Sequence, residues 1–155
     1  MAKNTQMLSA LLDELFELSK LDANEAKLEP EAFSILDMVS EELLLRCNIL
    51  ADELGVKLNA ELPEALPRVY ADFRMIYRVL SNLVENALRY SGAGSSVCVC
   101  VKRDGEMAKV TVRDNGAGIA PEDLPRIFDP FFTRNNARTK GSTGTGLGLA
   151  IVKKI

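Results

Sequence analysis

A chain of 155 residues, 47% hydrophobic and 26% charged, has the make-up of a globular chain about one domain long, which excludes a wholly disordered tract. Its longest apolar runs fall well below the roughly 18 residues a membrane-spanning helix needs, and no basic-then-apolar leader opens it. A net charge of −3 without a dense Lys/Arg block leaves no electrostatic footprint for duplex nucleic acid, so neither nucleic acid nor a membrane surface is an expected partner.

In chain order, Leu8, Leu11, Leu15 and Leu18 recur at spacings of three and four, which predicts a short helix with a partner-facing seam. Leu28-Glu29-Pro30 ends any helix. Ser34 then caps a helix running to about Leu54, with Gly55 as its stop signal. Val56 to Leu62 alternates as a strand does, Pro63 to Pro67 reads as a loop, and Asp72 caps a second helix reaching Tyr90. Two strands follow, about Ser95 to Arg103 and Met107 to Arg113, joined as a hairpin through Asp104-Gly105. Pro121 suits the first turn of a short helix. Thr133 to Gly146 is polar, glycine-rich and without periodicity, so it reads as a long functional loop, and Leu147 to Ile155 returns to helical character. Helices mixed with an antiparallel hairpin give an α+β fold class, a sheet-and-helix layer.

Cys47, Cys98 and Cys100 are an odd number without a second paired motif. They support neither a disulfide framework nor a zinc site, and a reducing cytosol fits them best. The sequence has no histidine, so it offers neither His-dependent catalysis nor a phosphohistidine acceptor.

Three stretches carry the chemistry. On the helix reaching Tyr90, Asn82, Asn86 and Arg89 share one stripe, while Ile76, Leu80, Leu83 and Ala87 fill much of the other side. An amide oxygen is a hard ligand suited to Mg²⁺, which takes its remaining ligands from water and phosphate, and an arginine beside it neutralises a phosphate. A solvated helix face explains the same residues, and the helix taken alone favours that plainer account. Asp114-Asn115-Gly116-Ala117-Gly118 follows a β-branched run, so Asp114 is held by the strand behind it and can accept the N6 hydrogens of adenine, with Gly116 and Gly118 leaving room for a base. Asp-Asn-Gly is also ordinary turn chemistry. Phe128, Phe131 and Phe132 read either as core residues or as an apolar hinge anchoring the loop beyond them. Gly144-Thr145-Gly146-Leu147-Gly148-Leu149 opens the last helix, where backbone N–H groups can approach a phosphate. It is neither a P-loop, lacking Gly-Lys-Ser/Thr, nor a dinucleotide fingerprint, because Leu149 stands where glycine or alanine is required. A glycine-rich linker is the competing explanation.

Taken in order, the asparagine-bearing helix, Asp-Asn-Gly-Ala-Gly, the phenylalanine cluster and Gly-Thr-Gly-Leu-Gly-Leu closely resemble the ATP-binding catalytic domain of bacterial sensor histidine kinases, of the GHKL superfamily. The resemblance spans about Lys27 to Ile155, and Leu18-Ser19-Lys20-Leu21-Asp22 resembles the end of that family's second dimerisation helix. It implies a two-layer α/β sandwich of the Bergerat type, a mixed sheet with helices on one face, here C-terminally truncated. Residues 1–26 are then the end of the dimerisation helix and 27–155 the catalytic domain, with an ATP lid at about 133–146. The implied cofactor set is ATP as substrate and Mg²⁺. By resemblance Asn86 coordinates Mg²⁺, Asn82 supports the phosphate site, Arg89 contacts phosphate and Tyr90 lies near adenine. Asp114 accepts from adenine N6, with Gly116, Gly118 and Ile119 shaping the pocket. Phe128 and Phe131 anchor the lid, and Gly144, Thr145, Gly146, Leu147 and Gly148 line the phosphates; where the family often has a basic lid residue this chain has Thr133, leaving Arg134, Arg138 or Lys140 as candidate lid cations beside a plain solvated reading.

The expected activity is transfer of the ATP γ-phosphoryl group to a histidine on a dimerisation helix outside this chain. The expected partners are the parent kinase's own phosphoacceptor domain and a downstream response regulator, with the chain itself a cytoplasmic, monomeric fragment of a sensor that can be membrane-bound. Competing readings are a hydrolase of the same superfold, a non-catalytic ATP-sensing module and an anti-sigma serine kinase. Such hydrolases place a water-activating glutamate where this chain has Asn82, and Leu8 to Leu18 weighs against the serine kinase.

Overall fold

The computed structural model describes residues 2–23, 26–133 and 144–155, with the side chains of residues 2–7 left aside. The chain packs as two compact units, residues 28–118 and residues 1–27 together with 119–155.

In the first unit, β1 (Pro30–Phe33) pairs antiparallel with β3 (Val69–Asp72), and Glu31 stands opposite Ala71. Neither strand was expected. Both are four residues long, and Pro30, read as a helix terminator, is also permitted as the first residue of an edge strand. The larger sheet has the order β2 (Lys57–Glu61), β4 (Ser96–Asp104), β5 (Met107–Asp114), with β2 parallel and β5 antiparallel to β4. The sheet is therefore mixed, as expected. The β4–β5 hairpin turns at Asp104-Gly105, where Gly105 takes the left-handed φ of +61° that a tight hairpin requires.

Side chains on one face of this sheet build the core. Val97, Val99 and Val101 are fully buried, and Val112 and Val110, directly across from Val99 and Val101, pack against the same core. Directly paired residues share a face, so Asp114, opposite Val97, projects on that same side.

The helices cover it. Ser34 caps α2 (Ile35–Asp37), its hydroxyl accepting from Asp37 N–H at 3.2 Å. A π-helical turn (Met38–Leu43) follows and runs into α3 (Leu44–Leu54). The π turn has a packing cause: Met38 and Leu43, five residues apart, are both buried, and an i→i+5 turn puts them on one face where an α turn would present Glu42. Cys47 and Ala51 continue that face, and Gly55 ends the helix in the αL conformation. α4 (Phe73–Ser91) packs on β4, β5 and α3, burying Leu80, Val84, Ala87 and Leu88. Asp72 caps it, accepting from Met75 N–H at 3.1 Å and, with its other oxygen, from Glu29 N–H at 2.9 Å. Those bonds, Glu29's first, hold the Asp72 carboxyl below the usual carboxylate range, and Arg74 adds to the effect.

In the second unit α1 (Ala2–Asp22) packs on α5 (Gly148–Lys154). Leu18, Leu147, Ala150 and Ile151 form the core between them, with Leu11 and Leu21 partly buried alongside. Lys154 Nζ meets Asp22 Oδ1 at 2.5 Å at one end. The expected seam of Leu8, Leu11, Leu15 and Leu18 is split: Leu11 and Leu18 face α5, whereas Leu8 and Leu15 are exposed. The face in use is instead 11, 14, 18 and 21, which puts Glu14 on an otherwise apolar stripe. Pro121 does not open a helix. It lies in a turn, and the short helix there is a single 3₁₀ turn (Leu124–Arg126) carrying Pro125 in its first positions, because a proline at 125 removes an N–H that a longer helix would need. No helix among the described residues is long and apolar enough to cross a membrane.

Candidate functional site

α4 positions Asn82, Asn86, Arg89 and Tyr90 because its opposite side is bound to the core through Leu80, Val84, Ala87 and Leu88. Asn82 and Asn86 are half-buried and Tyr90 is 48% exposed. The Asn82 Nδ2 is buried and finds no hydrogen-bond partner among the described residues. A buried amide donor without a partner costs of order 1–3 kcal/mol, which an anionic oxygen at that point would recover. Arg89 meets Glu85 one turn back at 3.8 Å, an ion pair too long to be a hydrogen bond.

The turn after β5 is fixed by its own side chains. The Asn115 side-chain Oδ1 accepts from Ser96 N–H at 2.7 Å and the Asn115 backbone N–H donates to Ser96 O at 3.3 Å, tying the turn to the start of β4. Asp114 Oδ1 accepts from Gly116 N–H at 3.0 Å, which sets the carboxylate's direction. The two glycines act differently. A β-carbon on Gly116 would come within 2.8 Å of Ser91 Cα and 2.9 Å of the Tyr90 carbonyl oxygen, so this turn and the last turn of α4 meet backbone to backbone. Gly118 has open space where a β-carbon would be, but its φ of +72° is one that side-chain-bearing residues adopt at a cost. The structure thus brings together Asp114, Gly116 and the Tyr90–Ser91 end of α4. Asn115, not among the expected site residues, is what anchors the turn, and its sequence signal was the Asp-Asn-Gly run itself.

In the other unit Phe131 and Gly146 are joined. Phe131 N–H donates to Gly146 O at 2.9 Å, and a β-carbon on Gly146 would lie 2.8 Å from the Phe131 carbonyl carbon. Both have left-handed backbones, φ +63° at Phe131 and +74° at Gly146, and Phe131 alone among the described non-glycine residues does so. Such strain in a bulky residue is kept only where the surroundings impose it. None of the three phenylalanines is a buried core residue: Phe131 is 59% and Phe128 37% exposed, and half-buried Phe132 lies under the Arg126 guanidinium, 4.9 Å from ring centre. Ile119 is half-exposed. A β-carbon on Gly144 would meet none of the described residues, and Gly148 is the first residue of α5. Leu147 has its side chain wholly in the α1–α5 core, leaving only its backbone to face a ligand.

The Thr145 hydroxyl donates to Glu14 Oε2 in a short hydrogen bond and accepts from Leu147 N–H at 3.3 Å. Glu14 was missed because it lies 131 residues from Thr145, although a carboxylate on an apolar heptad stripe is a signal of a specific partner. Arg134 and Lys140 lie outside the described residues, as does most of the loop expected at 133–146.

Among the described residues no group of three or more His, Cys, Asp or Glu side chains could hold a metal ion. A single carboxamide oxygen such as that of Asn86 is a donor of the kind Mg²⁺ accepts when water and phosphate oxygens fill the rest of its shell.

The chain matches the family described as histidine kinase-, DNA gyrase B-, and HSP90-like ATPase over residues 71–155, more than half its length. It is 38% identical over 148 residues to the sensor-like histidine kinase SenX3 of Mycobacterium bovis, covering 96% of this chain and 36% of that protein. The curated relatives are much longer proteins, of which this chain spans well under half. Among solved structures, the histidine kinase AdeS of Acinetobacter baumannii superposes with a TM-score of 0.78 at 30% identity, over 99% of this chain and 68% of that one. Full-length ShkA in complex with AMPPNP superposes with a TM-score of 0.81 at 26% identity, over 95% of this chain and 30% of that one. The chain belongs to the histidine kinase-, DNA gyrase B- and HSP90-like ATPase family, as an ATP-binding catalytic domain of the sensor histidine kinase kind.

Proposed function

We propose that this chain binds ATP with Mg²⁺ and presents its γ-phosphoryl group to a histidine on a dimerisation helix supplied from outside it. One observation carries the reading: the Asp114 carboxylate, aimed by Gly116 N–H, belongs to a turn packed on Tyr90 and Ser91 at the end of α4, the helix that also carries the orphaned Asn82 amide donor. An aimed carboxylate accepts from the exocyclic amine of adenine and repels the carbonyl oxygen that guanine has in its place, which sets the base. Asn82 Nδ2 donates to a phosphate oxygen, Asn86 Oδ1 holds the metal, and Arg89 offsets phosphate charge. Tyr90 lies by the base, with Gly118 permitting its close approach, and Ile119 takes the pocket role of the family. Mg²⁺, when bound, neutralises triphosphate charge. Phe128 and Phe131, with Gly144, Thr145, Gly146, Leu147 and Gly148, take the lid and phosphate roles of the family, and Arg134 or Lys140 that of the lid cation.

Phosphoryl transfer asks for alignment and charge stabilisation more than for covalent chemistry, so no residue of this chain is assigned as nucleophile or base. The domain division follows: residues 1–26 as the end of the dimerisation helix, 27–155 as the catalytic domain. The partners are the phosphoacceptor domain and, downstream, a response regulator, in the cytoplasm. AMPPNP, bound in the ShkA structure, is a non-hydrolysable ATP analogue, which supports ATP as the nucleotide.

The test is titration with AMPPNP with and without Mg²⁺, comparing wild type with Asn86→Ala. Binding by wild type that strengthens with Mg²⁺, and a variant that no longer responds to the metal, is the expected pair of results. Equal metal dependence in the two proteins contradicts the assignment of Asn86.

A further inference from the structure

We propose that Glu14 is an internal latch on the glycine-rich segment: its carboxylate accepts a hydrogen bond from the Thr145 hydroxyl, and nucleotide binding must break that bond. The inference rests on the reading of residues 144–148 as the phosphate-contacting segment.

A threonine hydroxyl has one proton to donate. Here it goes to Glu14 Oε2, while Thr145 Oγ1 itself accepts from Leu147 N–H at 3.3 Å. Both donors at this point are therefore occupied within the chain. A phosphate oxygen would have to displace the carboxylate to gain the hydroxyl proton, and the two anions would repel each other if both stayed.

The latch belongs to α1 and not to the glycine-rich segment itself. Glu14 lies on the stripe of Leu11, Leu18 and Leu21, the face that α1 sets against α5 through Leu147, Ala150 and Ile151. The Lys154–Asp22 ion pair fastens the same two helices at their other end. A shift or rotation of α1 thus moves Glu14 relative to Thr145. By reciprocity, whatever moves α1 off Thr145 raises nucleotide affinity, and nucleotide loosens α1 by the same free energy.

The experiment is calorimetric titration of the full chain with AMPPNP and Mg²⁺, for wild type, Glu14→Ala, Thr145→Val and the double variant, with amide exchange of residues 144–149 measured without nucleotide. Alanine has the highest helix propensity, so Glu14→Ala at this half-buried position keeps α1 helical. Glu14→Ala should bind about fivefold or more tightly than wild type, in the range typical of coupled sites. Adding Glu14→Ala to Thr145→Val should gain clearly less than Glu14→Ala alone, only the relief of charge repulsion remaining, and exchange at the Leu147 amide should quicken in Glu14→Ala. Equal affinity of wild type and Glu14→Ala, or the same gain in the Thr145→Val background, overturns the latch. Failure of both wild type and Glu14→Ala to bind nucleotide overturns the phosphate-segment reading and the switch with it, while the exchange data still report whether Glu14 holds Thr145.

Discussion

Gly116 lies against the last turn of α4 so closely that a β-carbon on it would stand 2.8 Å from Ser91 Cα and 2.9 Å from the Tyr90 carbonyl oxygen. Backbone cannot step aside as a side chain can. Gly116→Ala should therefore cost about 1–3 kcal/mol in urea unfolding, and Gly116→Asn no less. Gly118 is limited by its φ of +72° and not by space, so Gly118→Ala should cost about 1–2 kcal/mol and Gly118→Asn clearly less. Equal tolerance of asparagine at the two positions would show that Gly116 is not held against α4.

Phe131 is half of a backbone clasp with Gly146, and it adopts its φ of +63° with its ring 59% exposed. Relief of that strain should outweigh the little packing it loses. Phe131→Gly should leave thermal stability unchanged or raise it by about 1 kcal/mol, while Gly146→Ala, which meets both strain and contact, should lower it. A marked loss of stability in Phe131→Gly would contradict the strained geometry.

The Asp72 carboxyl, bonded by Glu29 N–H and Met75 N–H, titrates below its usual range in the folded chain. A depressed folded value means that its contribution to stability is complete above the unfolded value of roughly 3.9 and disappears as pH falls through the folded value. Asp72→Asn should lower Tm at pH 7, and the gap from wild type should close toward about pH 3. A gap that stays constant across that window would remove Asp72 from the acid sensitivity.

Burial, with Glu85 nearby, raises the Cys47 thiol to about 11. At pH 8 its thiolate is scarce and its sulfur shielded, so iodoacetamide should label Cys47 at the rate of unfolding, far more slowly than in urea. Fast labelling under native conditions would show that α3 does not seal it.

Much of this structure was legible because it is written in local chemistry. Ser34, Gly55 and Asp72 cap and stop their helices where the residue types require, and Asp104-Gly105 turns the hairpin. What escaped depends on contacts distant in sequence. The β1–β3 ribbon pairs two four-residue strands, Pro30–Phe33 and Val69–Asp72, too short to show alternation. The π turn follows from where Met38 and Leu43 must both point. At the candidate site, Asp114 and Gly116 were readable as a turn, but the meeting of Gly116 with Tyr90 and Ser91, and of Glu14 with Thr145, exists only in the folded chain.

The most direct test of the account is calorimetric titration of wild type and Asp114→Asn with AMPPNP and with the matching guanine analogue, Mg²⁺ present throughout. An asparagine presents one acceptor and one donor where the carboxylate has two acceptors. Saturable binding of the adenine nucleotide alone by wild type, weakened about tenfold or more in Asp114→Asn as expected for a charged hydrogen bond of roughly 1.5–3 kcal/mol, is the predicted result. Equal binding of the two bases by wild type, or unchanged adenine binding in a folded Asp114→Asn, would contradict the assignment of this turn as the adenine site.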